Sequence, residues 1–343
     1  MGSIDLMKEI LARIANSEVL SEEEAEIAFD IIMSGDATPA QIGGFLMALR
    51  VRGESITEIT GATRIIRRKA LTLDAPKGTI DTCGTGGDYS GTYNISTAAA
   101  LVIAACNVPV AKHGNYAISS KSGSADVLTA LGVNINSDIS LVRKSLWENN
   151  IGFLMAPKYH SAMRHVSGTR IELATKTIFN LLGPLTNPAR TKRQIVGVFA
   201  QQWIEPLAHV LGRLGAERTW VVHGSDGLDE LTTTGSTYVA EWHNGNIRSF
   251  EITPEMGDLP IAQSEDLIGG DAIVNAKAIQ RLLDGEHGPY RDIVLLNAAA
   301  ALVVSDKVSD IKSGVNIAAL AIDDGRAKNT LLRLIDISNL ESI

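Results

Sequence analysis

Five clusters of residues in this sequence have the types and spacing to do chemistry. Gly84-Thr85-Gly86-Gly87-Asp88 directly follows Thr79-Ile80-Asp81-Thr82-Cys83, which reads as a strand. Glycines let a backbone come close to an anion and turn several N–H groups toward it. The loop has neither the Gly-Lys-Ser/Thr of a P-loop nor the spacing of a dinucleotide fingerprint, so phosphate binding and a plain strand-to-helix turn both remain open. Asn94-Ile95-Ser96-Thr97 then opens a helix. Its amide and hydroxyl side chains can donate to phosphate oxygens, and a hydroxyl can ligate magnesium. The same residues also suit a plain cap, with Ser96 capping Thr97–Cys106.

The third cluster runs Lys112-His113-Gly114-Asn115-Tyr116-Ala117-Ile118-Ser119-Ser120-Lys121-Ser122-Gly123-Ser124. Its lysines, amide and hydroxyls suit an anionic, oxygen-rich ligand. Long polar loops after parallel strands are where α/β proteins bind ligands, which favours this reading over a merely solvated loop. The fourth is Asp229-Glu230, two hard carboxylates that can share a magnesium ion with water and phosphate oxygens, or else form a solvated acidic turn. The fifth is Arg170, whose guanidinium matches a carboxylate with two parallel hydrogen bonds or simply faces water. No Ser-His-Asp, Cys-His or zinc-type spacing assembles, so neither covalent catalysis nor zinc is expected.

The elements that must position these clusters fall into two parts. Ser21 with Glu24, Thr38 with Gln41 and Ser55 with Glu58 fit capping boxes, and with Ile4–Ala15 they predict about four helices in the first seventy or so residues. Leu46, Leu49 and Val51 are expected to supply an apolar face, as are Ile59, Ile65 and Ile66. After the connector Leu73–Lys77, strand and helix signals alternate: Val108–Ala111, Ser124–Leu131, Ile151–Met155, Gln194–Ala200, Ile204–Leu214 and Thr219–His223. That alternation predicts a largely parallel sheet with helical crossovers. Asn244-Gly245 between Thr237–His243 and Asn246–Ile252 predicts a type I′ hairpin, and the chain from about Asp271 reads as helical.

Composition narrows the function. The 343 residues carry 31 Lys and Arg against 39 Asp and Glu, a net charge of −8, which argues against a general nucleic-acid or anionic-membrane binder. Ala98–Cys106 and Ile293–Val304, the most apolar stretches, fall well short of the ~20 residues that span a bilayer, and no signal peptide is evident. Cys83 and Cys106 read as buried thiols in a reducing compartment, so the cytoplasm is expected.

Taken in order, Gly84–Asp88, Asn94–Thr97, Lys112–Asn115, Ser119–Gly132, Thr177–Pro188 and Asp229-Glu230 resemble the anthranilate phosphoribosyltransferase family over nearly the whole chain. The resemblance implies an α/β protein with a small all-helical domain and a larger α/β domain with a mainly parallel central sheet. Residues 1–72, with 156–188 packed on them, would form the helical domain. Residues 73–155 and 189–343 would form the α/β domain. It also implies transfer of a phosphoribosyl group from phosphoribosyl pyrophosphate (PRPP) to anthranilate in tryptophan biosynthesis, and a homodimer joined through the helical domain.

Carried over by position, Gly84, Gly87, Asp88, Thr92, Asn94, Ile95, Ser96, Thr97, the run Lys112, His113, Gly114, Asn115, Tyr116, Ala117, Ile118, Ser119, Ser120, and Ser124 would hold PRPP. Ser96, Asp229 and Glu230 would hold Mg2+. Gly84, Asn115 and Arg170 would meet anthranilate, with His113 and His160 lining its path. Tyr116 stands where the family commonly has arginine, Tyr89 where it often has a small residue, and Ser161 where proline is common. Two other readings compete: a pyrimidine nucleoside phosphorylase of the same architecture, and a non-enzymatic nucleic-acid-binding relative using Arg64, Arg67, Arg68 and Lys69.

Overall fold

A computed structural model describes residues 3–117 and 121–341. Ile118, Ser119 and Ser120, expected to hold PRPP, lie outside the described residues. Four helices come first: α1 (Ser3–Ala15), α2 (Glu22–Ser34), α3 (Pro39–Arg52) and α4 (Ile56–Lys69). All three capping boxes form. The carboxylate of Glu58 is fully buried and accepts from the amides of Leu20 and Ser55 and from Arg52, which ties α4 to the chain before it. Leu46 and Leu49 are buried as expected, but Val51 is 82% exposed. Two residues past Leu49 turn the helix by about 200°, onto the opposite face.

The remaining elements are β1 (Ile80–Gly84), α5 (Ile95–Ala105), β2 (Val110–Gly114), α6 (Ser124–Ala130), α7 (Ile139–Asn149), β3 (Ile151–Met155), α8 (Ala156–Tyr159), α9 (Arg164–Leu173), α10 (Phe179–Leu182), β4 (Arg193–Gly197), α11 (Ile204–Arg213), β5 (Arg218–Gly224), β6 (Thr237–His243), β7 (Asn246–Ile252), α12 (Ala272–Leu283), α13 (Pro289–Val304), α14 (Ile311–Asp323) and α15 (Arg326–Ser338). The strands form one sheet in the order β3-β2-β1-β4-β5-β6-β7. The first five are parallel, and β6 and β7 extend the sheet antiparallel through the Asn244-Gly245 hairpin, whose φ values of 51° and 82° make a type I′ turn.

One sheet face packs Ile80, Val110, Ile195 and Val222 against α5, α13 and α14. Helix α5 is apolar all round because it is sandwiched between the sheet and α13. On the other face, Val196, Val221 and Ala240 meet Leu207 and Leu211 of α11. That core runs on without a break into Phe29, Phe45 and Ile65 of the bundle and into Val166, Phe179 and Leu182. Segments within 156–188 therefore lie on the N-terminal helices, with α9 against α2 and α3 and α10 against α4. Among the described residues no helix is long and apolar enough to cross a membrane. Cys106 is buried, whereas Cys83 is only half-buried, because the strand that carries it ends at a loop open to the surface.

Candidate active site

The strand order reverses between β1 and β4, so the loops after these neighbouring strands diverge and leave a crevice, the usual ligand site of such sheets. Gly84 ends β1, and its register partner Gly197 ends β4. Asp229 lies across both. A Cβ on Gly84 would fall 2.2 Å from Asp229 Oδ2, and one on Gly197 would fall 1.6 Å from the Asp229 carbonyl oxygen. Only glycine at these two positions lets the acid sit there. The Gly86 amide then donates to Asp229 Oδ2 at 2.7 Å, joining the glycine loop to the acidic pair.

Glu230 Oε1 accepts from the Ser96 amide at 3.2 Å, in the first turn of α5. Lys112, buried at the end of β2, donates from Nζ to Thr82 O at 2.7 Å and to Ser96 Oγ at 3.2 Å. Ser96 is thus inside the helix and does not cap it. Asn94 takes the N-cap position without a side-chain cap bond, because its amide is engaged elsewhere: Nδ2 donates to Ser122 O and Oδ1 accepts from Asn275. Ile95 and Thr97 are buried beneath it, and Thr92 bridges to Ile268.

Asp229 and Glu230 are no solvated turn. Burial pushes the Asp229 carboxyl well above the usual carboxylate range, and the charges of Asp88 and Glu230 push it the same way. Burial lifts Glu230 to about 7, against the pull of the Lys112 ammonium. Three acids thus converge with one buried lysine, a site short of positive charge.

The polar loop leaves β2 beside this centre. Gly114 is packed against Ser124 and Phe153, and Ser124 Oγ donates to Asn115 O at 3.3 Å. Asn115 and Tyr116 are exposed, and the Asp126 carboxylate accepts from the Ala117 amide at 2.9 Å. His113 and His160 face each other with Nε2 atoms 3.3 Å apart. Burial draws His113 down to about 3, with His160 adding to it, and burial alone draws His160 to about 4, so both rings are neutral at pH 7. Arg170, on α9, stacks over the Phe179 ring at 5.2 Å and makes no ion pair among the described residues.

The chain matches two family models: the glycosyl transferase family helical bundle domain over residues 8–70, and the a/b domain of the same family over residues 76–328. It is 64% identical to an anthranilate phosphoribosyltransferase of Paramagnetospirillum magneticum, covering 99% of this chain and 98% of that one. The chain belongs to the anthranilate phosphoribosyltransferase family. Among solved structures, the enzyme of that name from Thermus thermophilus superposes with a TM-score of 0.92 at 42% identity, covering 98% of this chain and all of that one. The one from Saccharomyces cerevisiae, in complex with PRPP and Mg, gives 0.89 at 28% identity, covering 97% of each chain.

Two residues of this family member escaped the sequence reading. Gly197 looked like one more strand residue, and only the strand pairing shows it under Asp229. Lys176 lies between α9 and α10, yet its Nζ donates to Gly87 O at 2.6 Å and sits 4.0 Å from the Phe199 ring centroid and 5.1 Å from that of Tyr89. It restores a cation beside the glycine loop. Tyr89 is 73% exposed, so its bulk lies outside the loop, against Lys176. Arg64, Arg68 and Lys69 are paired with acids of α2, and Arg67 donates to the Leu185 carbonyl, so the four do not form one open basic stripe.

Proposed function

We propose that this chain transfers the phosphoribosyl group of PRPP to the amine of anthranilate, releasing pyrophosphate. The observation that carries the proposal is the Gly86–Asp229 hydrogen bond, which sets an anion-binding glycine loop against a buried pair of carboxylates at the switch point of the sheet. The remaining assignments follow from it. The amides of Gly84–Asp88, the first turn of α5 and Lys112 would hold the diphosphate, with Asn115 and Ser124 toward the ribose phosphate. Arg170, unpaired and half-buried, would take the anthranilate carboxylate, with the neutral His113 and His160 lining its approach.

Mg2+ fits this donor set. Among the described residues no three His, Cys, Asp or Glu side chains form a metal cage. Magnesium needs none, since it typically takes one or two carboxylates and completes its shell with water and phosphate oxygens. Asp229, Glu230 and Ser96 would supply the protein ligands, and the ion would neutralise charge building on the departing diphosphate. The anthranilate nitrogen attacks the anomeric carbon and the C–O bond to pyrophosphate breaks, with inversion. The new anilinium then gives its proton to water. With so good a leaving group the chain's work is positioning and electrostatics, and no general base is needed.

As proposals of the same reading, residues 1–72 with 156–188 make the helical domain, a second copy pairs through it, and the protein works in the cytoplasm. Mixing the protein with PRPP, Mg2+ and anthranilate should remove anthranilate fluorescence and release pyrophosphate one for one. Phosphorolysis of thymidine, or no magnesium-dependent loss, would overturn the reading.

A further inference from the structure

We infer that a second anion site, for a small phosphate monoester, lies between the helical bundle and the α/β body at the other end of β4. A cavity of about 560 Å³ opens there, within the range of small-molecule sites and far larger than a lone inorganic ion. Arg64, Arg67 and Arg68 of α4, Arg213 at the end of α11, and Arg190 and Lys192 before β4 line it. Thr191 and Gln194, at the start of β4, lie on the same wall. The five-residue strand puts Gly197 and the active site roughly 13 Å away.

The charges do not balance. Three acids face these six cations: Glu22 holds Arg64 and Arg213, Glu26 holds Arg64 and Arg68, and Glu217 holds Lys192. Arg67 and Arg190 form no ion pair among the described residues. Arg67 only donates to the carbonyl of Leu185 at 2.6 Å, and Arg190 is exposed on a left-handed backbone, φ 49°. Burial, with the charge of Arg190 adding to it, draws Arg67 down to about 10.

Thr191 Oγ1 and Gln194 Oε1 are sealed beneath this wall, in residues 6% and 1% exposed, so the guanidiniums rather than these atoms would meet a ligand. Guanidiniums bind a phosphate through pairs of parallel N–H donors, and several of them around one cavity suit its dianion.

The test titrates ribose 5-phosphate into the full chain by calorimetry, comparing the wild type with Arg190→Asn and Thr191→Val. Asparagine tolerates the left-handed backbone, so the first variant removes the cation and keeps the turn. The wild type should show a site, separate from any at the active centre, that weakens by at least about tenfold in Arg190→Asn and is unchanged in Thr191→Val, whose sealed hydroxyl does not reach the ligand. That site should weaken with added salt, and turnover of PRPP with anthranilate should stay within about twofold in both variants. Identical isotherms for the wild type and Arg190→Asn would overturn the inference, as would binding that disappears only together with turnover.

Discussion

Gly197→Ala tests how the site is built. The added Cβ would lie 1.6 Å from the Asp229 carbonyl oxygen and 2.4 Å from its carbonyl carbon. Both are main-chain atoms, so no side-chain rotation relieves the clash. An ordinary carbon–oxygen contact needs about 3.3 Å, which demands a relative shift of ~1.7 Å between β4 and the Asp229 segment. Misplacement of about 1 Å can cost ~100-fold in rate, so kcat/KM should fall by at least about two orders of magnitude, or ~2.7 kcal/mol in the transition state.

Gly84→Ala should act differently, because its closest neighbour is the side-chain oxygen Oδ2, at 2.2 Å, with the carbonyl oxygen further off at 3.1 Å. In an Asp229→Ala background, Gly84→Ala should then add little, while Gly197→Ala should still destabilise by about 1–3 kcal/mol. The assay is the rate of anthranilate fluorescence loss across a magnesium titration, with circular dichroism and thermal melts to confirm folding. A folded Gly197→Ala protein with wild-type kcat/KM and an unchanged magnesium requirement would refute the reasoning.

Lys176→Met should raise the KM for PRPP by about tenfold, with Lys176→Arg recovering most of it; an unchanged KM would show that the lysine serves only packing. Arg170→Ala should raise the KM for anthranilate by ~10- to 100-fold with a smaller change in kcat, and an unchanged KM would remove the carboxylate assignment. The buried His113–His160 pair should make the fold acid-sensitive. Both folded values lie below the unfolded ~6.5, so the stabilisation is complete above that pH and is lost as pH falls toward about 4, at up to ~1.4 kcal/mol per pH unit for each histidine. The buried acids have raised values and act with the opposite sign, so the informative quantity is the difference from His160→Gln, whose urea midpoint should fall less between pH 7 and pH 5; parallel falls would refute the assignment.

What the sequence made legible was local. In each capping box the hydroxyl accepts from the backbone amide three residues on, and that residue's side chain accepts back from the cap's own amide, so α2, α3 and α4 start where their caps predict. β3, β6 and β7 run over the residues their patterns imply, while the other strands shift by one to three residues at their ends. Helix α7 escaped notice because its sequence is mostly polar and its buried positions include Ser145 and Asn149. Ser96 does not cap α5 because Lys112, distant in sequence, claims its hydroxyl, while Asn275 claims the amide oxygen of Asn94. Gly197 and Lys176 were invisible for the same reason: their roles rest on contacts 32 and 89 residues away in the chain, with Asp229 and Gly87.

Those long-range contacts also bear on how two substrates could meet. Arg170 is carried by α9, which packs on the bundle helices α2 and α3, whereas the glycine loop and Asp229 belong to the sheet. On the proposed assignments, the distance between the amine of an anthranilate held by its carboxylate at Arg170 and an anomeric carbon held by the loop would be set by the register between bundle and sheet. Several contacts hold that register, among them the packing of α4 on α11, the Glu22–Arg213 ion pair and the hydrogen bond from Lys176 to Gly87 O. Lys176 lies only six residues beyond Arg170, so the segment that carries the acceptor's anchor also grips the loop that would hold the donor. For a reaction whose barrier is lowered chiefly by alignment, the residues that hold this register matter as much as those that touch substrate.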